Sequence, residues 1–230
     1  MIHVDPEIYQ KYPKDKIDEA VALLTYKKVD PLPKEELPGH PILYVFRHGQ
    51  SEDNANFVFS GWRDSKLTIE GYKQAEVLAE KLRNKKLDML ISSPQIRALD
   101  TMKVAVSNNI AAKDLKIELD DRIKERNYGD LQGHSKLILQ LQDPELLHEI
   151  RRSFQKTTTN GESLETVCKR VANFCNEIVP LMKQYKINVA VSCHGNSIRG
   201  FRMYFENLSP EVVQNIETPL GQDYAAYSIK

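Results

Sequence analysis

Two histidines, each followed by glycine and each closing a strand-like run, are the residues whose types and spacing point to chemistry. The first run, Ile42 to Phe46, leads into Arg47-His48-Gly49-Gln50-Ser51, with Asn54 close behind. The second, Ile187 to Ser192, leads into Cys193-His194-Gly195-Asn196-Ser197. An imidazole can attack phosphorus and hold a phosphoryl group in a bond labile enough to pass on. Transfer of that group depends on positioning and on stabilising charge spread over several oxygens. Arginine forks match those oxygens bidentately, and N–H groups at a helix start add donors. Arg47 beside His48, with His194 opposite, therefore supplies a nucleophile, a clamp and a second donor. Glycine after each histidine permits a sharp turn and close backbone approach to a ligand. A lone histidine is usually a packing residue, but two such turns at strand ends favour a functional pair. Metal ligation is the weaker alternative. Glu149 after His148 lacks the second histidine of a His-Glu-x-x-His helix, and the cysteines form no cluster. His3, His40, His134 and His148 are expected at the surface or in packing.

Both turns need elements to position them. Leu67 to Lys86 has helical spacing, with Ala75, Leu78, Ala79 and Leu82 on one face. Asp88 to Ser93 reads as a strand, and Pro94 suits the first turn of a helix through Ala98, Met102 and Val106. Lys116 to Ile123 reads as a strand. Ser135 to Phe154 is helical with a break before Pro144, and Ser163 opens a long helix to Tyr185 that Pro180 is expected to kink. A further helix is expected from Ser197, and Asp223 to Ile229 as a closing strand. Strands alternating with helices predict a three-layer α/β/α sandwich with a mostly parallel central sheet. In such sheets ligands bind outside the carboxyl ends of the strands, where both His-Gly pairs fall.

Residues 1–40 differ from the rest. They hold a short amphipathic pattern (Ile17, Ala20, Val21, Leu24) and a proline-rich stretch from Asp30 to Pro41, in which helix is disfavoured. They read as an N-terminal extension packing on the main domain or on a partner, with residues 41–230 forming the catalytic domain. A length of 230 residues suits one well-buried domain. Lys+Arg and Asp+Glu are both 32, so no global positive field favours nucleic acid, although a local basic pocket remains open. No apolar run approaches the roughly 20 residues of a membrane span. The polar N-terminus shows no signal peptide, so a cytoplasmic protein is expected. Cys168 and Cys175, seven apart on a helical pattern, and Cys193 are expected as structural thiols.

These residues resemble the histidine phosphatase superfamily, over residues 41–230. The matching motifs are Arg47-His48-Gly49 with Asn54, Ser93-Pro94 with Arg97-Ala98 and Thr101, and His194-Gly195-Asn196-Ser197. The resemblance implies that His48 is the nucleophile and that Arg47, Arg97 and His194 complete its phosphate pocket. Within the superfamily, three segments are most similar to cofactor-dependent phosphoglycerate mutases. They are Ser60-Gly61-Trp62, Glu125 to Gly133 followed by Lys136, and Arg151-Arg152-Ser153-Phe154. The resemblance singles out Glu125 as general acid/base, and Ser60 and Gly61 as substrate contacts. It also implies 2,3-bisphosphoglycerate as phosphoryl primer and no metal. A mutase must hold a substrate anionic at both ends, so it needs a second cationic site. Lys136, Arg151 and Arg152 could provide one, with Tyr128, Asn54 and Asn196 as hydrogen-bonding partners.

The pattern also departs from these mutases. Asn127 stands in place of the usual histidine, Thr157-Thr158-Thr159 replace prolines in a short linker, and the C-terminal tail that closes over the site in many of these mutases is expected to be absent after Lys230. Water attack on an open site would convert a mutase into a phosphatase. The leading expectation is interconversion of 3-phosphoglycerate and 2-phosphoglycerate through a phosphohistidine on His48. A phosphatase acting on a small phosphorylated metabolite is the second, and a non-catalytic phospho-ligand binder the third. The partner is a small phosphorylated molecule, with homo-oligomer formation left open.

Overall fold

A computed structural model describes residues 6–25 and 28–230. Five strands form one sheet: β1 (Ile42–Arg47), β2 (Met89–Ser92), β3 (Ile117–Leu119), β4 (Val189–Cys193) and β5 (Tyr224–Ser228), in the order β3-β2-β4-β1-β5. The first four run parallel, and β5 pairs antiparallel with β1 at the edge. β4 is buried along its length because both sheet faces are covered, which is why it reads as a continuous apolar run. Alternation along β1 shows the two layers. Leu43 and Val45 join the cluster under α8 (Leu164–Tyr185) and α9 (Gly195–Glu206). Ile42, Tyr44 and Phe46 face α4 (Ile69–Leu82) and α5 (Ile96–Val106). The expected three-layer sandwich is therefore the fold.

Boundaries shift where side chains are committed elsewhere. Pro94 lies before α5 rather than within its first turn; the N-cap is Gln95, whose side chain is spent on neighbouring loops. The strand expected to reach Ile123 ends at Leu119, where Asp120 Oδ1 accepts from Arg122 N and winds a 3₁₀ turn, Asp121–Ile123. α9 begins at Gly195, two residues earlier than expected, with His194 as its N-cap. α8 opens on Ser163, which accepts from Thr166 N, and runs through Pro180 to Tyr185. Short helices at α3 (Glu52–Ala55) and α10 (Pro210–Val213) carry too few turns to show periodicity.

The N-terminal extension packs on the main domain. α1 (Pro6–Lys11) and α2 (Lys14–Thr25) bury Ile8, Ile17, Ala20 and Leu24, with Val21 only partly covered. They meet Phe57 and Phe59 and the apolar faces of α6 (Lys136–Gln142) and α7 (Pro144–Arg152), which break at Asp143 as Pro144 requires. The proline-rich stretch then runs along β5, with Ala226 N donating to Pro33 O and Glu35 N to Ala226 O. Prolines suit such an edge, where not every backbone N–H is needed. His3 lies outside the described residues; His40, His134 and His148 are exposed. The three cysteines are free and buried, and burial pushes the Cys168 thiol up to about 12. Among the described residues no helix is long and apolar enough to cross a membrane.

One packing contact ties the scaffold to the first histidine turn. A Cβ on Gly71, in the first turn of α4, would lie 2.1 Å from Gln50 O, and one on Gly49 would lie 2.3 Å from Gly71 O. Both obstacles are backbone. Gly71→Ala is therefore expected to cost about 1–3 kcal/mol in urea-induced unfolding. Unchanged stability would show that the turn and α4 can separate freely.

Candidate active site

Parallel pairing brings the two histidine turns together. Arg47 at the end of β1 is in register with Cys193 at the end of β4, and His48 N donates to Cys193 O at 3.0 Å. The two rings that follow have centroids 5.0 Å apart. His48 Nδ1 lies 2.6 Å from Gly49 O, which can only accept, and Arg97 Nε donates toward His48 Nε2 at 3.3 Å. Together these contacts place the proton on Nδ1 and the lone pair on Nε2. Gly49 N donates to Thr101 Oγ1, which fixes the turn against α5.

Arg97 is almost fully buried, and its remaining nitrogens donate to Arg63 O and Gly61 O, both at 2.9 Å. Burial brings its pKa down to about 10, although Glu125, Asp53 and Asp64 favour the charge. Arg47 Nη1 donates to Thr218 O, and its Nε is buried without a partner. Burial, then Arg97 and Arg47, hold His48 well below the usual histidine range. His194 is held well below it by burial, Arg97 and His48. Its Nε2 lies 2.9 Å from Ser93 Oγ, and its Nδ1 is buried without a partner.

His194 is buried beside His48; all the other residues assigned a catalytic or substrate-binding role from sequence line one cleft. Glu125 is buried at its rim. Arg126 N, Asn196 Nδ2 and Asn196 N all donate to its Oε1. Asn196 Nδ2 also reaches Tyr128 Oη at 3.3 Å. Asn54 Oδ1 accepts from Ser51 N within the capping box of α3, Ser60 lines the cleft, and Gly61 O accepts from Arg97 Nη2. Lys136 Nζ donates to Val58 O at 2.6 Å. Arg151 and Arg152, at the end of α7, face Glu217, with Arg152 Nη2 donating to Glu217 Oε1. Burial and Arg152 lower the pKa of Arg151.

Sequence reasoning missed four contributors. Arg199 sits one helical turn after Asn196 and donates to its Oδ1 at 3.0 Å; that spacing was a usable signal. Gln95 bridges Gly61 O and Glu125 N, holding acid and clamp in one frame. Glu217 and Thr218 lie in an irregular loop that carries no periodicity.

An arginine-lined cleft at the carboxyl edge of a parallel sheet, backed by two adjacent buried histidines, is what this fold and site define. The family model of the histidine phosphatase superfamily (branch 1) matches residues 43–229, and the chain belongs to that superfamily. It is similar to the 2,3-bisphosphoglycerate-dependent phosphoglycerate mutase of Cytophaga hutchinsonii, at 37% identity over 79% of this chain and 84% of the relative. The mutase of the same name from Beijerinckia indica is 33% identical over 78% and 88%. Among solved structures, a mycobacterial glucosyl-3-phosphoglycerate phosphatase aligns with a TM-score of 0.72 at 23% identity, covering 81% of this chain and 92% of that one. The alpha-ribazole phosphatase of Shigella flexneri gives 0.67 at 20% identity, over 82% and 95%. These two likenesses bear on the fold.

The electrostatics give a pH prediction. With both buried histidines depressed, the unfolded chain binds more protons than the folded one once pH falls below about 6.5. Stability should therefore fall through that range on acidification. If His48 is the nucleophile, only its neutral form can react, and the acid limb of kcat/KM should lie below 6.5. An acid limb at or above 6.5 would contradict this assignment.

Proposed function

We propose that the protein interconverts 3-phosphoglycerate and 2-phosphoglycerate through a phosphohistidine on His48. The observation that carries this reading is the second cationic site. Lys136, Arg151 and Arg152 line the same cleft as His48 and Arg97, so one ligand can engage both groups. Similarity to curated mutases across most of both chains supports it.

In this reading His48 Nε2 attacks phosphorus, while Arg47 and Arg97 stabilise charge gathering on the phosphoryl oxygens. Nδ1–H stays on Gly49 O and carries part of the positive charge that develops on the ring. Glu125 takes the proton from the sugar-acid hydroxyl as that oxygen attacks the phosphohistidine, and returns it in the reverse step. Arg151, Arg152 and Lys136 hold the carboxylate end. The buried, unpartnered Arg47 Nε and Arg152 Nη1 suit a ligand with several anionic oxygens, as 2,3-bisphosphoglycerate has. Such a primer would supply the first phosphoryl group to His48.

The second reading, hydrolysis of a small phosphate ester, uses the same His48 with water as acceptor. The superfamily fold is shared with proteins named as phosphatases. Enzyme given 3-phosphoglycerate and a trace of primer should form 2-phosphoglycerate. Accumulation of inorganic phosphate without it would overturn the mutase reading. Replacing Arg151 and Arg152 together by alanine should reduce mutase turnover by about 100-fold or more. Hydrolysis of p-nitrophenyl phosphate, which has no carboxylate, should fall far less.

A further inference from the structure

An acidic residue sits inside the distal cationic site. Glu217 lines the cleft, and its Oε1 accepts from Arg152 Nη2 and lies 3.8 Å from Arg151 Nη2. Both arginines were assigned above to the carboxylate end of the substrate, and this inference rests on that assignment. A protein carboxylate therefore already satisfies part of the charge that the ligand is meant to satisfy.

Its position is not that of a mobile surface side chain. Glu217 N donates to Asp30 Oδ2 at 2.8 Å, and Asp30 N donates back to Glu217 O at 2.9 Å. The preceding carbonyl, Ile216 O, accepts from Arg199 Nε and Nη2 at 2.9 and 2.7 Å. The following one, Thr218 O, accepts from Arg47 Nη1 at 3.0 Å. Three successive residues are thus pinned, two by site arginines and one by the N-terminal extension. The carboxylate cannot leave the arginines by loop movement without breaking these bonds. On the far side of Arg152, Nη1 is buried without a partner, so one donor remains for a ligand.

We infer that Glu217 is a specificity-determining residue, a fixed internal carboxylate that weakens the site's demand for a second anionic group on the substrate. A ligand carboxylate engaging Arg151 and Arg152 must lie close to Glu217, and like charges brought together in a partly desolvated cleft repel. A ligand with a hydroxyl there avoids that repulsion and can donate to Glu217. The residue therefore shifts preference away from phosphorylated acids and toward phosphorylated alcohols, without contacting the phosphoryl pocket.

The discriminating pair of ligands is 3-phosphoglycerate and glycerol 3-phosphate, which differ in a carboxylate against a hydroxymethyl group. Equilibrium binding of each is measured by calorimetry on the full chain and on Glu217→Gln. The ratio of the two affinities should move toward 3-phosphoglycerate by roughly tenfold in the variant. Glu217→Asp, which keeps the charge, should stay near the wild-type ratio. If Glu217 instead braces the arginines for the substrate, Glu217→Gln will lower the ratio or weaken both ligands equally, and either result overturns the inference. Circular dichroism checks folding, and Glu217→Ala serves as the neutral variant if the glutamine variant does not fold. Because the readout is binding, its outcome is independent of whether 2-phosphoglycerate is formed. A failed mutase assay and a failed charge test are thus distinguishable.

Discussion

The site depends on keeping several guanidinium groups close together inside a protein. Arg97 and Arg199 are buried, each with its pKa brought down to about 10, and Arg47, Arg151 and Arg152 stand near them. Like charges at this spacing repel, and burial removes the water that would screen them. The fold answers with backbone carbonyls more than with acids. Gly61 O and Arg63 O accept from Arg97, Ile216 O from Arg199 and Thr218 O from Arg47. A carbonyl satisfies a donor without cancelling its charge, so the cleft stays positive for an anionic ligand. Glu125 and Glu217 are the acids lining the cleft, and both are tied down by hydrogen bonds.

That solution explains why irregular loops surround the cleft. A helix or strand spends its carbonyls on its own ladder, whereas a loop can turn them toward a side chain. Residues 60–63 and 216–218 do this, at the cost of needing bracing themselves. Gln95 holds the first loop to the acid, and Asp30 holds the second to the N-terminal extension. The proline-rich stretch thus covers the outer edge of β5 and also fixes a loop that receives two site arginines.

The legibility of the sequence follows the same division. Strands, the long helices and both histidine turns were readable because period and placement at strand ends follow from repeating backbone geometry. The pairing of β1 beside β4 then turned two separate motifs into adjacent rings. Arg151 and Arg152 were readable only through resemblance, since a basic pair at a helix end is usually solvated. Glu217 was not readable at all. Nothing in Asn215-Ile216-Glu217-Thr218 shows that a chain segment 65 residues from Arg152 returns to meet it. α1 was missed because its apolar content is too small to mark a period, and it is held by the cluster it joins.

In the proposed reaction, whether water reaches the phosphohistidine turns on how the cleft is walled. A cavity lined by Leu24, Thr25, Phe57 and Leu220 adjoins it, sharing Arg47, Asn54, Lys136 and Arg151. The end of α2 is therefore part of the boundary of the site. This wall is held by packing, through Ile17, Ala20 and Leu24 against α6 and α7, so its order exists before a ligand binds. A flexible segment that closes on binding must be ordered at that moment, which subtracts from affinity. A prebuilt wall avoids that cost, but it cannot tighten in response to the ligand. Retention of a doubly charged ligand would then rest on the cations themselves, and Glu217 offsets part of their charge. If His48 carries a phosphoryl group as proposed, the balance between transfer to a sugar acid and transfer to water is set where α7 meets the 216–218 loop, some distance in sequence from that histidine.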